Sequence, residues 1–311
     1  MEMEARHKPV MVREVLAALN VRAGGAYIDC TAGEAGHSLS ILGSVEPAPR
    51  LLGIDLDGEA LVTANERLGL YGDRVKLVRG SYTDLPRHAA EHGFAGADGV
   101  LFDLGVSSLQ LESAARGFSF SRTAKLDMRF DMTQRLTADQ IVNHYGEREL
   151  ADIIYQFGEE PAARRIARAI VSARPIGSTT GLAETTARGA GGSRKRTVHP
   201  ATRTFQALRI AVNGELDKIR DGLAQGIQVL RPGGRLVVLA YHSLEDRLVK
   251  GIMREASSDC ICPPKTPQCV CGHVASISLI RRRVIKPSVE ETSANPRSRS
   301  ARLRVAERLQ T

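Results

Sequence analysis

The sequence lacks three features that would place it in a membrane or outside the cell. No apolar run approaches the ~20 residues that a membrane-spanning helix needs. Residues 1–11 carry acids where a secretory signal would have an apolar stretch. The cysteines form no even disulfide framework, because Cys30 stands alone and the other four lie between Cys260 and Cys271. These absences predict a cytosolic protein without a membrane partner.

The basic residues are concentrated in two segments of the chain. The 311 residues carry a net charge of +8, with hydrophobic and charged fractions ordinary for a globular protein. Residues 188–209 contain six Arg or Lys and no acid, and residues 281–311 contain nine against three acids. Clustered cations gain from counterion release on phosphates. The distribution favours a nucleic-acid partner over the alternatives of solubility or an acidic protein partner.

Short apolar runs alternate with helical patterns, as expected of an α/β fold with a parallel sheet. The predicted strands are 25–32, 50–57, 75–82, 96–107 and 235–243. A long helix is predicted over 201–230, and the segments 276–285 and 300–309 are expected to form the last two strands and to pair with each other. The interruption between 108 and 200 contains amphipathic helical segments and no convincing strand, and it ends in a predicted mobile loop over 188–200.

These patterns predict a discontinuous ligand-binding domain, 1–107 with 201–311, and an inserted helical domain, 108–200. We expect the insert to form a lid or a wall of the substrate pocket. The alternative is that it serves mainly for dimerisation or docking, so a homodimer is an open expectation.

A glycine-containing turn follows the first predicted strand. Gly33-Glu-Ala-Gly36 joins that strand to a helix, and Asp55 ends the next strand, 22 residues after Gly33. Bare backbone in such a turn lets a ligand approach, and the acid is placed to accept bonds from ribose hydroxyls. Nicotinamide enzymes use G-x-G-x-x-G around a pyrophosphate. Here Glu34 lies inside the turn and Asp29 just before it, which favours the cationic, phosphate-free S-adenosylmethionine.

Several long strings resemble the RsmH (MraW) family from end to end. They are residues 7–11, 27–38, 98–111, 117–131, 199–213, 242–250 and 295–307. The resemblance implies a class I (Rossmann-like) methyltransferase sheet with an inserted helical domain. It also implies N4-methylation of one cytidine in the decoding region of 16S rRNA in the small ribosomal subunit.

Carried over by motif, the donor site comprises Ala35, Gly36, His37, Asp55, Tyr82, Asp103 and Gln110. Family members generally have Gly-Gly-His where this chain has Ala35-Gly36-His37. If position 35 requires a positive φ, alanine costs about 1 kcal/mol there. Tyr82 stands where an aromatic residue is expected beside the adenine.

The catalytic candidate is Asp103, at the end of the fourth predicted strand. The cytosine N4 lone pair is delocalised, so a group that accepts the N4–H hydrogen bonds would make it more nucleophilic. Asp103 or the backbone carbonyls beside it could do this, and the Asn/Asp-Pro-Pro-Tyr/Phe signature of many amino-methyltransferases is absent. The predicted substrate-binding residues are His199, Arg203 and His242. Each has a structural alternative. His199 could serve the entry into the long helix, Arg203 could be a solvated arginine at a helix end, and His242 could support the Ser243–Glu245 turn.

Four cysteines form a compact C-x-C-x6-C-x-C pattern at Cys260, Cys262, Cys269 and Cys271. Four thiolates suit zinc, but the C-x-C spacing is tighter than the usual C-x2-C. Free thiols or disulfides remain alternatives, so the metal is left open.

Three other functions compete with the rRNA methyltransferase. A methyltransferase for proteins or small molecules would have little use for the basic segments. A non-enzymatic ribosome-assembly factor would not need the donor motif. A nicotinamide dehydrogenase is the weakest of the three.

Overall fold

The computed structural model describes residues 9–107, 110, 111, 113, 116–191, 199–263, 266 and 268–310. The chain divides into two compact units. Unit 1 comprises Met1–Gly105 with Leu216–Thr311, and unit 2 comprises Val106–Glu215. The predicted insert, 108–200, is shorter than unit 2, which also includes the first half of the predicted 201–230 helix. The tip of the predicted loop, 192–198, lies outside the described residues.

Unit 1 is built on a sheet with the order β3-β2-β1-β4-β5-β7-β6 among the described strands. The strands β1 to β5 run parallel, and β7 pairs antiparallel with both β5 and β6. They span Ala26–Asp29, Arg50–Asp55, Val75–Arg79, Ala97–Asp103, Leu230–Ala240, Ile277–Leu279 and Arg302–Arg308. The predicted pairing of the last two strands is confirmed. The strand order reverses between β1 and β4, the point at which open α/β sheets bind ligands.

Both faces of this sheet are covered, because neighbouring strand residues enter different apolar clusters. Ile28, Val100 and Val238 belong to one cluster. Tyr27 and Leu101, with further residues of the same strands, belong to another. The near-continuous apolar runs of the strands follow from this two-sided burial. The helices of unit 1 are α1 Val12–Leu19, α2 Gly36–Leu42, α3 Gly58–Leu68, α4 Leu85–Glu91, α10 Glu215–Val229, α11 Ser243–Ala256 and α12 Val289–Ala294.

Unit 2 is helical throughout its described secondary structure, with its own apolar core around Ile141, Ile154, Ile166 and Leu208. A capping box starts the helix Ala138–His144, since Thr137 and Gln140 bond each other's backbone amides. Its helices are α5 Ala138–His144, α6 Glu147–Gly158, α7 Ala163–Ser172, α8 Thr179–Ala190 and α9 Ala201–Asn213.

The prediction of one continuous helix over 201–230 is wrong. Gly214 adopts φ 60°, which ends α9 at Asn213, and α10 begins at Glu215. A glycine in the left-handed region is a common helix terminator. None of the described helices is both long enough and apolar enough to cross a membrane.

Candidate donor site and its surroundings

The turn after β1 has a backbone that only certain residues adopt readily. Gly33 has φ 50°, and Ala35 has φ 66° immediately before α2 begins at Gly36. Position 35 therefore has the positive φ at which alanine costs about 1 kcal/mol. The Ala35 methyl group is fully buried in an apolar cluster, so its burial of about 0.8 kcal/mol offsets much of that cost.

Asp55 connects the end of β2 to this turn. Its Oδ2 accepts a 2.8 Å hydrogen bond from the Gly33 amide, and its Oδ1 accepts one of 2.9 Å from the Asp57 amide. Burial raises the pKa of Asp55 to about 6, against the lowering effect of these two bonds. Each oxygen keeps acceptor capacity for a further donor such as a ribose hydroxyl.

Asp29, at the end of β1, is a second buried acid of the site. Its Oδ2 accepts a 2.7 Å bond from Ser38 Oγ, and its Oδ1 accepts one of 3.2 Å from the Thr31 amide. Burial raises the pKa of Asp29, and the negative charge of Asp103 adds to the effect. Among the described residues, no lysine or arginine pairs with Asp29, Asp55 or Asp103, and this suits a cationic ligand.

Asp103 is held at the end of β4 by three neighbours. Its amide donates a 2.7 Å bond to Thr31 Oγ1, which ties β4 to the turn after β1. Its Oδ1 accepts a 2.6 Å bond from the Tyr241 hydroxyl. Its Oδ2 lies 3.3 Å from His37 Nε2, and the carboxylate remains 23% exposed. Asp103 is therefore oriented on both oxygens and still accessible.

His37 is buried beside Asp103 in the first turn of α2. Burial lowers the pKa of His37, but the contact with Asp103 and the charges of Asp103 and Asp29 outweigh it, so the pKa is raised. Nδ1 of His37 is buried and has no hydrogen-bond partner within the part of the chain that the structure describes. An orphaned buried nitrogen is costly, and a ligand at the turn could satisfy it. The site therefore fits a donor with an amino acid moiety.

Tyr82 begins the 3-10 turn Tyr82–Asp84 after β3. Its ring meets Phe102 of β4 edge to face, with centroids 5.5 Å apart. A Cβ on Gly222 of α10 would lie 2.4 Å from Tyr82 Cδ2, so only glycine lets the helix pack this closely. The half-buried tyrosine ring is thus fixed beside β4, and its place beside adenine stays a prediction.

Three of the predicted site residues, Gln110, His199 and Arg203, lie in unit 2. Gln110 Oε1 accepts from the Ser107 amide at 3.1 Å. His199 is exposed, and its ring is tilted 32° against the ring of Phe120 with centroids 4.8 Å apart. Its Nδ1 accepts a hydrogen bond from the Ala201 amide. Arg203 Nη1 donates to the Glu159 carbonyl at 3.0 Å, so it ties α9 to the end of α6.

His242 serves as the helix cap of α11. Its Nδ1 accepts a 3.3 Å bond from the Glu245 amide, and Nε2 lies 3.0 Å from the same residue's Oε1. Glu245 is completely buried, and its Oε2 accepts from the amides of Tyr241 and His242. His242 therefore supports the Ser243–Glu245 turn, which is its structural alternative, and its substrate role stays a prediction.

Sequence reasoning missed Tyr241, which contacts the catalytic candidate directly. The signal was its position at the end of the fifth predicted strand, one residue before His242. Burial raises the pKa of Tyr241 well above its usual value, as does the neighbouring Asp103. The phenol therefore stays protonated and donates to Asp103 at neutral pH.

The C-terminal basic segment, 281–311, has only part of its charge engaged in ion pairs. Arg302 and Arg304 of β7 both bond Asp246 of α11, at 2.8 and 2.7 Å. That part of the C-terminal charge stabilises unit 1. Arg281, Arg282 and Arg283 are exposed and remain accessible to a polyanion.

The parallel sheet, the turn after β1 and the acid that ends β2 together define an S-adenosylmethionine-dependent methyltransferase. The chain belongs to the MraW methylase family, whose model matches residues 4–309. The predicted family and fold class are confirmed, and S-adenosylmethionine is the methyl donor.

Relatives resemble the chain over nearly its whole length. A protein of Dehalococcoides mccartyi is 51% identical over 306 residues, which cover 98% of this chain and 87% of its own. One of Thermomicrobium roseum is 51% identical, with 97% and 94% covered, and one of Brevibacillus brevis is 48% identical, with 97% and 98% covered. All three are named ribosomal RNA small subunit methyltransferase H.

Proposed function

We propose that the protein transfers a methyl group from S-adenosylmethionine to the N4 amino group of one cytidine in the decoding region of 16S rRNA. The supporting observation is the end-to-end similarity to relatives named as methyltransferases of small-subunit rRNA. The accessible arginines at 281–283 supply charge for a phosphate backbone. The cytidine itself is proposed from the family resemblance.

S-adenosylmethionine supplies an electrophilic methyl group on a sulfonium. Ala35, Gly36 and His37 would bind the donor at the turn, with Asp55 on its ribose and Tyr82 beside its adenine. Gln110 is proposed as a further donor contact. Asp103 would accept an N4–H hydrogen bond and so localise the nitrogen lone pair. Tyr241 and His37 would hold the Asp103 carboxylate in the orientation that this bond needs.

Unit 2 is the proposed substrate-recognition part. A ribosomal cytidine must leave its stack to reach a donor, and stacking on an aromatic or imidazole ring stabilises such a base. His199, which is exposed and packs against Phe120, is suited to an RNA contact. We therefore expect His199→Ala to raise KM for the RNA substrate and to leave the donor Kd unchanged.

The test uses small ribosomal subunits from a strain lacking the corresponding enzyme, with radiolabelled S-adenosylmethionine. Nucleosides would be identified by mass spectrometry. N4-methylated cytidine is expected with the native protein, and its loss is expected with Asp103→Asn. The control Asp73→Asn removes an exposed carboxylate and should leave labelling unchanged. Donor binding without labelled RNA would refute the rRNA substrate.

We also propose that the protein acts in the cytoplasm, where small subunits assemble. Association into a homodimer is proposed as a property of unit 2, and light scattering of the purified protein would measure it. A mass of one chain at micromolar concentration would contradict the dimer.

A further inference from the structure

Four cysteine sulfurs converge in the segment between α11 and β6. Cys262 Sγ lies 4.0 Å from Cys269 Sγ, and Cys271 Sγ lies 3.5 Å from Cys269 and 3.9 Å from Cys260. All four sulfurs lie within 4.8 Å of one another, and none is in a disulfide. Two C-x-C arms separated in sequence therefore meet at one point.

These separations match a single tetrahedral metal ion. A Zn–S bond of about 2.3 Å places the sulfurs of a regular tetrahedron roughly 3.8 Å apart. A disulfide would need about 2.05 Å. A multi-iron cluster would hold farther apart those sulfurs that bind different irons. The observed spacing thus favours one ion with four thiolate ligands.

Backbone amides support thiolates at this point in a matched way. The Ile261 amide donates to Cys271 Sγ at 3.4 Å, and the Val270 amide donates to Cys262 Sγ, also at 3.4 Å. The middle residue of each C-x-C arm therefore bonds a sulfur of the other arm. Such hydrogen bonds from outside the ligand set orient metal ligands and stabilise their charge.

Four thiolates at these separations repel one another, because like charges only a few ångströms apart disfavour ionisation. A divalent cation bound between the sulfurs would offset this repulsion and release the thiol protons. The sulfur arrangement therefore suits a dication.

The segment has little apolar packing to hold this arrangement. Ile261, Val270 and Val274 are 46%, 83% and 67% exposed. A chain without a buried core needs another constraint to keep one conformation, and small protein segments commonly use a structural metal. The sulfur cluster is the constraint that the sequence offers here.

We propose that Cys260, Cys262, Cys269 and Cys271 bind one structural Zn²⁺ ion as four thiolates. Zinc prefers this tetrahedral sulfur set, and four protein ligands leave no open position for catalysis. The ion would fix the conformation of the α11–β6 segment. This inference does not depend on the rRNA substrate.

The first test is metal analysis of the full-length protein purified under reducing conditions without chelators. Plasma mass spectrometry should find one zinc per chain. The double variant Cys262→Ser/Cys271→Ser should lose nearly all of it. Thr266→Ala removes a hydroxyl that bonds Pro263 in the same segment and should keep full zinc content. Zinc well below one per chain after incubation with stoichiometric Zn²⁺ would overturn the proposal.

A second measurement identifies the ligands and the ion independently. Cobalt substituted for zinc should give the intense absorption of a tetrahedral thiolate site, absent from the double variant. Finding iron in place of zinc would refute the zinc site. Finding two disulfides by mass spectrometry of protein prepared in reducing buffer would refute it as well. The same double variant should bind S-adenosylmethionine with the affinity of the native protein. Equal affinity verifies that unit 1 of the variant is folded.

Discussion

The hydroxyl of Tyr241 donates a 2.6 Å hydrogen bond to Oδ1 of Asp103, joining the ends of β5 and β4. The two strands are paired so that Asp103 lies opposite Leu239, which brings residue 241 just beyond the strand end. The phenol orients one carboxylate oxygen and leaves the other facing His37. The relation makes Tyr241 a positioning residue for the proposed hydrogen-bond acceptor.

Tyr241→Phe should lower kcat for methyl transfer by about 10- to 100-fold. Losing a hydrogen bond to a charged group costs about 1.5–3 kcal/mol, and the lost orientation of Asp103 is felt in the transition state. Steady-state kinetics on small subunits would measure it, with the donor Kd unchanged. Tyr71→Phe is the matched control, and equal effects of both changes would argue against the positioning role.

Donor affinity should weaken as the pH falls through about 6. The pKa of Asp55 in the free protein is raised to about 6, so near pH 5 the carboxylate is mostly protonated. If the ionised form binds the donor, Kd rises about tenfold from pH 7 to pH 5. Calorimetric titration would follow this change. A donor Kd that is flat over this range in the native protein would contradict it.

The raised pKa of Asp55 has the opposite effect on the stability of the fold. Because the folded pKa lies above the unfolded value of 3.8, the folded state binds the proton more tightly. The free energy of unfolding of the donor-free protein should therefore decrease as the pH rises from about 4 to 6. Asp55→Asn should lose this component, which denaturant titrations at several pH values would reveal.

Asp103→Asn should lower the pKa of His37 below 6.5. The Asp103 carboxylate opposes the effect of burial on the imidazole, and removing its charge leaves burial dominant. In the native protein the raised pKa means that the pair stabilises the fold below pH 6.5, and that this contribution disappears as the pH rises. Two-dimensional NMR of the histidine rings would give both pKa values. An unchanged His37 titration would show that the contact is weak in solution.

Gly222→Ala should displace Tyr82 and weaken donor binding several-fold. The added methyl group would meet the tyrosine ring at 2.4 Å, and such overpacking costs about 1–3 kcal/mol of unfolding free energy. Gly251→Ala is the matched control, since its Cβ would meet nothing within 4 Å on an exposed face of α11. That change should stabilise the protein by about 0.5–1 kcal/mol. Thermal unfolding and donor titration would compare the two.

The sheet was predictable because its strands are buried apolar runs that end in turn residues. The turn after β1 was recognised from Gly33, Gly36 and Asp55, whose chemistry is local in sequence. The break at Gly214 was missed, because a single glycine within an otherwise helical pattern is a weak signal. The Asn213-Gly214 dipeptide is a helix-ending pattern that could have revealed it.

Contacts between residues far apart in the sequence could not be predicted from the sequence alone. Tyr241 meets Asp103 only because of the β4–β5 register, which no local pattern specifies. The pairs of Arg302 and Arg304 with Asp246 were likewise hidden, so charge that favoured nucleic acid turned out to stabilise unit 1. The cysteine spacing left zinc open, whereas the convergence of four sulfurs required the fold.

The place of β7 between β5 and β6 has a consequence for how the protein is made. During synthesis, β5 is complete about 60 residues before its outer neighbour emerges, and its backbone edge stays unpaired for that interval. Asp246 also lacks its two arginine partners until residues 302–304 have been synthesised. Unit 1 therefore cannot finish folding in the order of translation, and a nascent chain stopped before Arg302 would offer an open sheet edge to other chains.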